Sequence, residues 1–265
     1  MNIDKKQLYE TITTTDIRYV RIPHFERTGK VHHAITTRYN NLGGRQSGIK
    51  SPGDWHAVAA AFGIVPDKLI TVTQVHGDAV VLVDDQGLVG GRINGNPRTV
   101  EADAIITSAP GVAIGVETAD CVPVLLLDPE IPAVAAIHAG WRSSVRKIVD
   151  RTVTRMNAEF GCRPQRMLAA IGPAIGPECY EVDEPVMGPV REAFSYWEEI
   201  ATPRRKGRWG LDLVKANARE LLKMGLMEEN VHALGLCTSC RKDLFYSFRA
   251  EGRTGRMLSM IMIRT

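Results

Sequence analysis

Histidine and cysteine side chains stand at the ends of three apolar runs. His76 follows the run LITVTQV, Cys121 precedes VPVLLLD, and His138 lies at the end of AVAAIHA. Two imidazoles and one thiolate suit Zn²⁺, which prefers nitrogen and sulfur donors and leaves a fourth position to water at catalytic sites. The separations along the chain are not diagnostic, because ligands carried by strands have no fixed spacing. The residue types predict a three-ligand zinc site, with copper as the alternative metal.

A CxxC motif at Cys237–Cys240 offers two more thiols. Such a hairpin provides half of a structural zinc site, but no second CxxC or HxxxH completes it. A redox function would require the motif to open a helix after a strand, so neither function is favoured. Cys162 and Cys179 are predicted to be buried or incidental. The odd total of five cysteines excludes a full disulfide framework and favours reduced thiols or metal ligands.

The elements that must position these side chains are mostly strands. Nine runs rich in apolar and β-branched residues predict strands, and several are apolar throughout, as is typical of strands buried on both faces. The runs are DIRYVRI from Asp16, VHHAITT from Val31, LITVTQV from Leu69, AVVLVD from Ala79, DAIITS from Asp103, VAIGVE from Val112, VPVLLLD from Val122, AVAAIHA from Ala133 and RMLAAIG from Arg166.

Helical patterns are fewer. Apolar residues at spacings of three or four predict a helix over Ser143–Phe160. Two more are predicted over Asp212–Met224, with Gly225 as the C-cap, and over Glu184–Trp197. The segment ATPRRKGRW, residues 201–209, is predicted to be an exposed basic loop.

The order of these elements predicts the fold class. Strands outnumber helices and do not alternate with them, so we predict an α+β fold with mixed sheets, in one domain over residues 1–265. The chain lacks GxGxxG and GxxxxGK[ST], so dinucleotide-binding and P-loop functions have no support.

Composition restricts the location and the partners. The 265 residues carry 33 Lys and Arg against 30 Asp and Glu, and 44% of them are hydrophobic, which is typical of a globular protein. No apolar run approaches the roughly 18 residues of a membrane helix, and the first ten residues are too polar for a signal peptide. We therefore predict a cytoplasmic protein without a membrane partner. The net charge of +3 is too small to indicate nucleic-acid binding, so the expected partner is a small molecule.

Six motifs occur in the order of a known family. They are QVHG at 74–77, ETADCVPVLLLDP at 117–129, HAGWR at 138–142, IGPAIGPECYEV at 171–182, LDL at 211–213, and CT at 237–238 with FYSFR at 245–249 and TGR at 254–256. From Leu69 to the C-terminus the chain resembles the laccase-domain, or polyphenol-oxidase-like, family.

The resemblance implies a fold and an activity. The family fold is α+β, a layered sandwich with helices outside two packed mixed sheets. Its members hold one zinc through two His and one Cys, which by motif are His76, Cys121 and His138. They are purine nucleoside enzymes that phosphorolyse adenosine, inosine, guanosine and methylthioadenosine and that deaminate adenosine. Bacterial relatives are linked to the editing of peptidoglycan precursors that contain serine in place of alanine.

The histidine count argues against a true multicopper oxidase. A four-copper site needs roughly ten histidines, mostly in His-x-His pairs, because imidazole is the preferred copper ligand. This chain has seven histidines and no His-x-His pair. One such chain therefore cannot assemble a four-copper site.

The N-terminal third departs from the family pattern. Relatives have a Thr-Arg-x-Gly-Gly-Val-Ser turn followed by Ser-Leu-Asn-Leu, where this chain has TRYNNLGGRQS over 37–47 and then Gly53-Asp54. HAGWR is followed by Ser143 rather than by glycine. These differences concern the shape of the substrate pocket and leave the metal ligands unchanged.

The implied reactions assign roles to charged residues. For deamination, zinc lowers the pKa of its water to about 7, and Asp120 is predicted to shuttle protons or else to orient a ligand. For phosphorolysis, Arg142 is the first candidate to bind phosphate, because a guanidinium binds phosphate in a bidentate manner and this residue would begin a helix. Arg38 and Arg249 are further phosphate candidates, and a salt bridge is the structural alternative.

Three other functions remain open from the residues alone. Cys121 could be a nucleophile with His138 as its base, in a hydrolase. One copper bound by the same two residues and His76 could oxidise phenols. A fourth protein ligand, Cys237 or Cys240, would close the metal site and leave a non-catalytic binding protein.

Overall fold

The computed structural model describes residues 8–14, 17–40, 55–85, 87–88 and 100–265. Within these ranges it contains sixteen strands, which are β1 (Glu10–Thr13), β2 (Ile17–Arg21), β3 (Val31–Asn40), β4 (Leu69–Ile70), β5 (Val80–Asp84), β6 (Gly87–Leu88), β7 (Ala104–Thr107), β8 (Ala113–Thr118), β9 (Val122–Asp128), β10 (Ala133–Ala139), β11 (Leu168–Ile171), β12 (Glu181–Val182), β13 (Ala201–Pro203), β14 (Trp209–Leu211), β15 (Val231–Ala233) and β16 (Met257–Ile263).

The same residues form eight helices, none of them long and apolar enough to cross a membrane. They are α1 (Pro23–Glu26), α2 (His56–Ala61), α3 (Trp141–Val145), α4 (Ile148–Phe160), α5 (Glu184–Ala193), α6 (Trp197–Ile200), α7 (Leu213–Lys223) and α8 (Phe248–Glu251).

The strands form two large mixed sheets and one small sheet. The six-stranded sheet has the order β1-β2-β3-β16-β8-β4, and the seven-stranded sheet has the order β15-β11-β9-β10-β7-β5-β6. Most neighbours are antiparallel, whereas β4 pairs with β8, β5 with β7, and β15 with β11 in parallel. The α+β class with mixed sheets, predicted from the sequence, is confirmed.

The alternation of side chains along β9 shows how the layers pack. Leu125 and Leu127 enter the core between the two large sheets, while Val124 and Leu126 enter the core under the helices. Successive side chains of a strand point to opposite faces, so an apolar run of this kind is buried on both sides. Helices α4, α5 and α7 cover the outer face of the seven-stranded sheet, and this arrangement matches the expected sandwich.

The predicted helix over Ser143–Phe160 is divided in two. α3 ends at Val145 and α4 begins at Ile148, because Lys147 lies between them with φ of +65°. The Nζ atom of Lys147 lies 2.7 Å from Oε2 of the buried Glu220. This ion pair is a tertiary contact, so the apolar spacing gave no sign of the break.

The boundaries of the other two predicted helices differ less from the prediction. α7 lies within the predicted Asp212–Met224, and Gly225 follows it with φ of +96°. The third helix is shorter than predicted and contains Pro189. It ends before Phe194, which adopts an extended conformation and is buried in the core.

The short strands β1, β6, β12 and β15 were not predicted, and strand formation differs from the prediction at three further places. The basic segment 201–209 is only partly a loop, because its two ends belong to β13 and β14. Of the run LITVTQV, only β4 joins a sheet ladder, and the rest leads to His76. The sequence patterns missed β16, which pairs with both β3 and β8 in the middle of its sheet. Its sequence, MLSMIMI, has few β-branched residues, so its position depends on its neighbours.

Candidate active site

The structure brings His76, Cys121 and His138 together. Cys121 directly precedes β9, and His138 lies on β10, opposite Pro123 in the antiparallel β9–β10 ladder. His76 arrives from the segment between β4 and β5. The ligand atoms of the three side chains all lie within 4.8 Å of one another, and Cys121 Sγ is 3.8 Å from His76 Nε2.

This donor set fits a zinc ion. A tetrahedral zinc with bonds of about 2.0–2.3 Å separates its donors by about 3.5 Å, so the donors need to move by only about 1 Å. Gly140 leaves the space beside them, because a Cβ atom there would lie 3.0 Å from His76 Cδ2 and 3.1 Å from Cys121 Sγ. The residues present therefore fit a metal ion with nitrogen and sulfur ligands.

Asp103 supports two of the three ligands. Its fully buried carboxylate lies 2.7 Å from Nδ1 of His138, which leaves Nε2 of that ring for a metal. The same carboxylate accepts the backbone N–H groups of Val75, His76 and Gly77, at 3.2, 3.0 and 2.6 Å. His76 has φ of +58°, an uncommon conformation for a residue other than glycine, and these three bonds hold it there.

A polar pair fixes the same segment from the other side. The side-chain amide of Gln74 donates to the backbone oxygen of Glu117 at 2.8 Å and accepts from the backbone N–H of Glu117 at 2.7 Å. Glu117 belongs to β8, so the segment that carries His76 is attached to the six-stranded sheet. This contact accounts for the glutamine of the QVHG motif.

Electrostatic contacts separate the charges in the metal-free site. Burial would raise the pKa of the Cys121 thiol, but hydrogen bonding with His138 and His76 lowers it to about 6. Burial would lower the pKa of His138, but its hydrogen bonds with Asp103 and Cys121 raise it to about 9. Burial would also raise the pKa of Asp103, and the bond from His138 and the backbone N–H groups hold it below its ordinary value. At neutral pH the site therefore holds a thiolate beside an imidazolium.

Asp120 is buried next to Cys121 and forms hydrogen bonds with both carboxylate oxygens. Oδ1 accepts from the Thr238 hydroxyl at 2.6 Å, and Oδ2 accepts from the backbone N–H of Arg249 at 2.6 Å. The backbone of Asp120 has φ of +95°, and its oxygen accepts the N–H of Ile175 at 2.9 Å. These contacts tie the chain around Cys121 to three other segments, at Ile175, Thr238 and Arg249, and the orienting role that the sequence left open beside proton transfer stays a prediction.

The three donors open into a cavity of about 590 Å³. Its size falls within the range of about 300–1,000 Å³ that is typical of small-molecule sites. Polar and aromatic side chains line it together with the three donors, and these include Gln74, Glu117, Asp120, Trp141, Arg142, Tyr180, Phe248, Arg249 and Arg256.

The three arginines proposed for phosphate lie in different surroundings. Arg142 and Arg249 line the cavity. The guanidinium of Arg142 stacks on Trp141 at 4.4 Å, and that of Arg249 stacks on Tyr180 at 5.0 Å. Arg38 instead donates to the backbone oxygen of Lys242 at 2.6 Å and to Glu251 at 3.0 Å. Among the described residues, Arg38 does not line the cavity. Its phosphate role therefore stays a prediction.

Several residues at the metal-ligand site or on the cavity wall were not singled out by the sequence patterns. Asp103 begins the run DAIITS, and a carboxylate in front of a buried strand is the signal that could have found it. Arg256 ends the TGR motif and lines the cavity, and Tyr180 lies in the IGPAIGPECYEV motif. Of the residues that depart from the family pattern, 41–47 and Gly53-Asp54 lie outside the described residues.

Cys237 and Cys240 belong to a second cluster of thiols. Their sulfur atoms group with that of Cys179 rather than with the His76, Cys121 and His138 donors. Cys179, predicted to be buried or incidental, is half-buried and lies in this cluster. Cys162, by contrast, is buried in the core as predicted.

Comparisons with known proteins agree with the motifs. The chain is 38% identical over 244 residues to the purine nucleoside phosphorylase of Deinococcus radiodurans, which covers 87% of this chain and 88% of that protein. It is 36% identical over 201 residues to a purine nucleoside phosphorylase of Bacteroides thetaiotaomicron, which covers 75% and 74%. Adenosine deaminase RL5, from an unknown prokaryotic organism, is 31% identical over 206 residues and covers 77% and 78%.

Solved structures and a family profile complete the comparison. The crystal structure of a Bacillus licheniformis hypothetical protein, YfiH, superposes with a TM-score of 0.83 at 25% identity and covers 97% of this chain and 99% of that chain. YlmD from Geobacillus stearothermophilus gives a TM-score of 0.83 at 26% identity, covering 98% and 100%. The family profile described as multi-copper polyphenol oxidoreductase laccase matches residues 30–264. The chain therefore belongs to this laccase-like family, whose relatives above are named as purine nucleoside enzymes.

Proposed function

We propose that this protein is a zinc-dependent purine nucleoside phosphorylase that acts on adenosine, inosine, guanosine and methylthioadenosine and also deaminates adenosine. The observation that carries the proposal is the convergence of His76, Cys121 and His138 at a cavity of about 590 Å³. Relatives named purine nucleoside phosphorylase and adenosine deaminase support the two activities.

The zinc ion would be held by the three donors and would supply an activated water to the deamination. The protein's own part is to prepare these donors. Asp103 holds Nδ1 of His138, so that Nε2 faces the ion, and keeps His76 in its strained conformation. We assign to Asp120 the positioning of the loop that carries Cys121, with proton transfer to the leaving ammonia as its second proposed role.

The arginines on the cavity wall support phosphate binding. Arg142, Arg249 and Arg256 all line the cavity, and a planar guanidinium forms bidentate bonds with phosphate oxygens. In phosphorolysis a phosphate oxygen bonds to C1′ as the C1′–N9 bond breaks, and the purine leaves with the bond electrons. Arg142 is the first choice for this anion, because its side chain is exposed toward the cavity and stacks only on Trp141 among the described residues.

Aromatic side chains support binding of the base. Trp141, Tyr180 and Phe248 line the cavity, and Phe248 is 56% exposed although it is a large apolar residue. An exposed aromatic ring at a cavity mouth is suited to stack on a flat heterocycle. Tyr246, an aromatic residue of the FYSFR motif, is buried against Arg38 and does not line the cavity.

The proposal is tested by turnover of metal-free and zinc-loaded protein, with and without phosphate. The zinc-loaded protein is expected to convert inosine to hypoxanthine and ribose 1-phosphate only with phosphate present. It should convert adenosine to inosine and ammonia without phosphate. Loss of both activities in the metal-free protein, and their return with zinc, would support the assignment. Oxygen uptake with phenols after copper loading, without nucleoside turnover, would contradict it.

A pair of variants tests the phosphate role. Arg142→Gln is expected to raise the KM for phosphate at least tenfold while phosphate-independent deamination of adenosine is retained. Arg146→Gln, an exposed residue one turn further on, is the matched control and should leave both reactions unchanged. Equal loss of both activities in Arg142→Gln would contradict the assignment to phosphate.

One observation favours a second candidate, a Cys–His hydrolase. The lowered pKa of Cys121 and the raised pKa of His138 give a thiolate–imidazolium pair, which is the form of an activated cysteine nucleophile. The two functions differ in their response to metal removal. A hydrolase of this kind would gain activity on esters or amides without metal and would lose it on treatment with iodoacetamide.

A further inference from the structure

Three thiols meet outside the cavity site. The sulfur atoms of Cys179, Cys237 and Cys240 all lie within 4.8 Å of one another, and those of Cys179 and Cys240 are 3.4 Å apart. Cys237 and Cys240 occupy the turn after β15, and Cys179 comes from the loop between β11 and β12. None of the three lines the cavity or takes part in the function proposed above.

The backbone around Cys237 favours a thiolate. The N–H of Gly176 donates to Cys237 Sγ at 3.2 Å. An N–H donor of this kind stabilises a negative sulfur.

We propose that Cys179, Cys237 and Cys240 bind a second metal ion, a thiophilic ion such as Zn²⁺, through three thiolates. Zinc with bonds of about 2.3 Å to sulfur separates its thiolates by about 3.8 Å. This distance lies between the 3.4 Å that separates the sulfur atoms of Cys179 and Cys240 and the 4.8 Å within which all three sulfur atoms lie. Cys240 is exposed, so the ion has a path of entry and a fourth position open to water. The third ligand that the CxxC motif lacks in sequence is supplied by Cys179.

The position of this site gives it a consequence for the cavity. Thr238, next to Cys237, donates to Asp120 Oδ1 at 2.6 Å, and its backbone N–H bonds to Ala174 at 3.0 Å. Tyr180, next to Cys179, lines the cavity. An ion bound by the three thiolates would therefore cross-link two segments that form the cavity wall and hold Asp120.

Metal stoichiometry tests the proposal independently of any nucleoside activity. The protein is reduced, freed of metal, loaded with zinc and dialysed, and zinc per chain is measured by mass spectrometry. We expect two ions in the wild type and one each in Cys240→Ser and Cys121→Ser. The double variant should bind none. Cys240 is exposed, so its replacement does not disturb the core. Cys162→Ala, which removes a thiol outside both clusters, is the matched control and should retain two ions.

Cobalt distinguishes the two sites by their number of thiolates. With Co²⁺ in place of zinc, Cys121→Ser retains only the site with three thiolates, and Cys240→Ser retains the site with one. The sulfur-to-cobalt charge-transfer band should therefore be about threefold stronger per ion in Cys121→Ser. Zinc should also raise the thermal unfolding midpoint of Cys121→Ser and leave that of the double variant unchanged.

Two results would overturn the proposal. In the first, Cys121→Ser binds no zinc while its remaining thiols react as free thiols. In the second, the wild type binds one ion, and Cys179 and Cys240 are recovered as a disulfide after brief exposure to air, which would make the cluster a redox pair. Loss of nucleoside turnover in Cys121→Ser bears on the proposed function alone.

Discussion

Asp103→Asn should move a proton within the metal-free site. The Asp103 carboxylate lies 2.7 Å from Nδ1 of His138 and, with Cys121, raises the pKa of that imidazole to about 9. An amide carries no charge, so the variant removes the main support of the imidazolium. Because the thiolate of Cys121 is stabilised by His138, its pKa should rise as the imidazolium is lost.

The structure sets the size of this effect. Returning the pKa of His138 from about 9 to its ordinary 6.5 removes about 3 kcal/mol of stabilisation of the imidazolium, at about 1.36 kcal/mol for each pKa unit. Without that cation, burial brings the pKa of Cys121 from about 6 back to its ordinary 9.0 or above. At pH 7 the thiolate fraction then falls from about nine-tenths to about one-hundredth, a change of roughly 100-fold.

The assay is the pH profile of alkylation of Cys121 by iodoacetamide in metal-free protein, followed for each peptide by mass spectrometry. The wild-type rate should have its midpoint near 6, and the variant rate should have its midpoint near 9. Asp128→Asn is the matched control, because Asp128 is also fully buried and accepts backbone N–H groups but lies near Cys162. A midpoint that stays near 6 in Asp103→Asn would refute this account of the site. The variant should also bind zinc about 10–100-fold more weakly, which chelator competition measures.

Three further changes test the packing around the site and the core. Gly140→Ala places a Cβ against two ligands and should weaken zinc binding by about 10–100-fold in chelator competition, and unchanged affinity would contradict the close approach. Buried His33 has a pKa lowered to about 3, so on acidification the unfolded chain takes up the proton first and stability falls from about pH 6.5 down. His33→Gln is the comparison, because its amide oxygen still accepts the Ile22 N–H. Between pH 7 and pH 5 the free energy of unfolding of the metal-free wild type, measured in urea, should fall by about 2 kcal/mol more than that of the variant. Equal losses would contradict this. Lys147→Met removes the nearer cation of the buried Glu220 carboxylate, whose other cation, Lys223, lies 4.0 Å away, and should cost about 3 kcal/mol at pH 7. The cost should shrink in acid as that carboxylate protonates, and a pH-independent cost in urea unfolding would exclude the ion pair as its cause.

Buried charged groups stabilise one another in the metal-free site. Asp103, His138 and Cys121 form an alternating series of negative, positive and negative groups at neutral pH. A metal ion would take the place of the positive charge on the imidazolium and release its proton. We therefore expect zinc affinity to fall as the pH is lowered below the pKa of His138.

The sequence by itself determined the strands and the kinds of donor. Apolar runs such as VPVLLLD and AVAAIHA are buried on both faces wherever they are placed, so burial and strand type follow from composition. The histidine and cysteine residues at the ends of the apolar runs predicted the three metal donors, and the ordered motifs indicated the family. These are local properties, and they require no knowledge of which strands are neighbours.

Only the tertiary structure decided what these residues contact. At the helix break, Lys147 pairs with Glu220, which lies 73 residues further along the chain. The support of His138 by Asp103 arises because β7 and β10 are paired. Cys179, the third thiol of the second cluster, lies 61 residues before Cys240 in the sequence, and their sulfur atoms are 3.4 Å apart. Contacts between distant residues depend on strand order and loop path, which amino-acid spacing does not encode. The sequence therefore specified the chemistry available, and the pairing of the sheets decided which groups share one site.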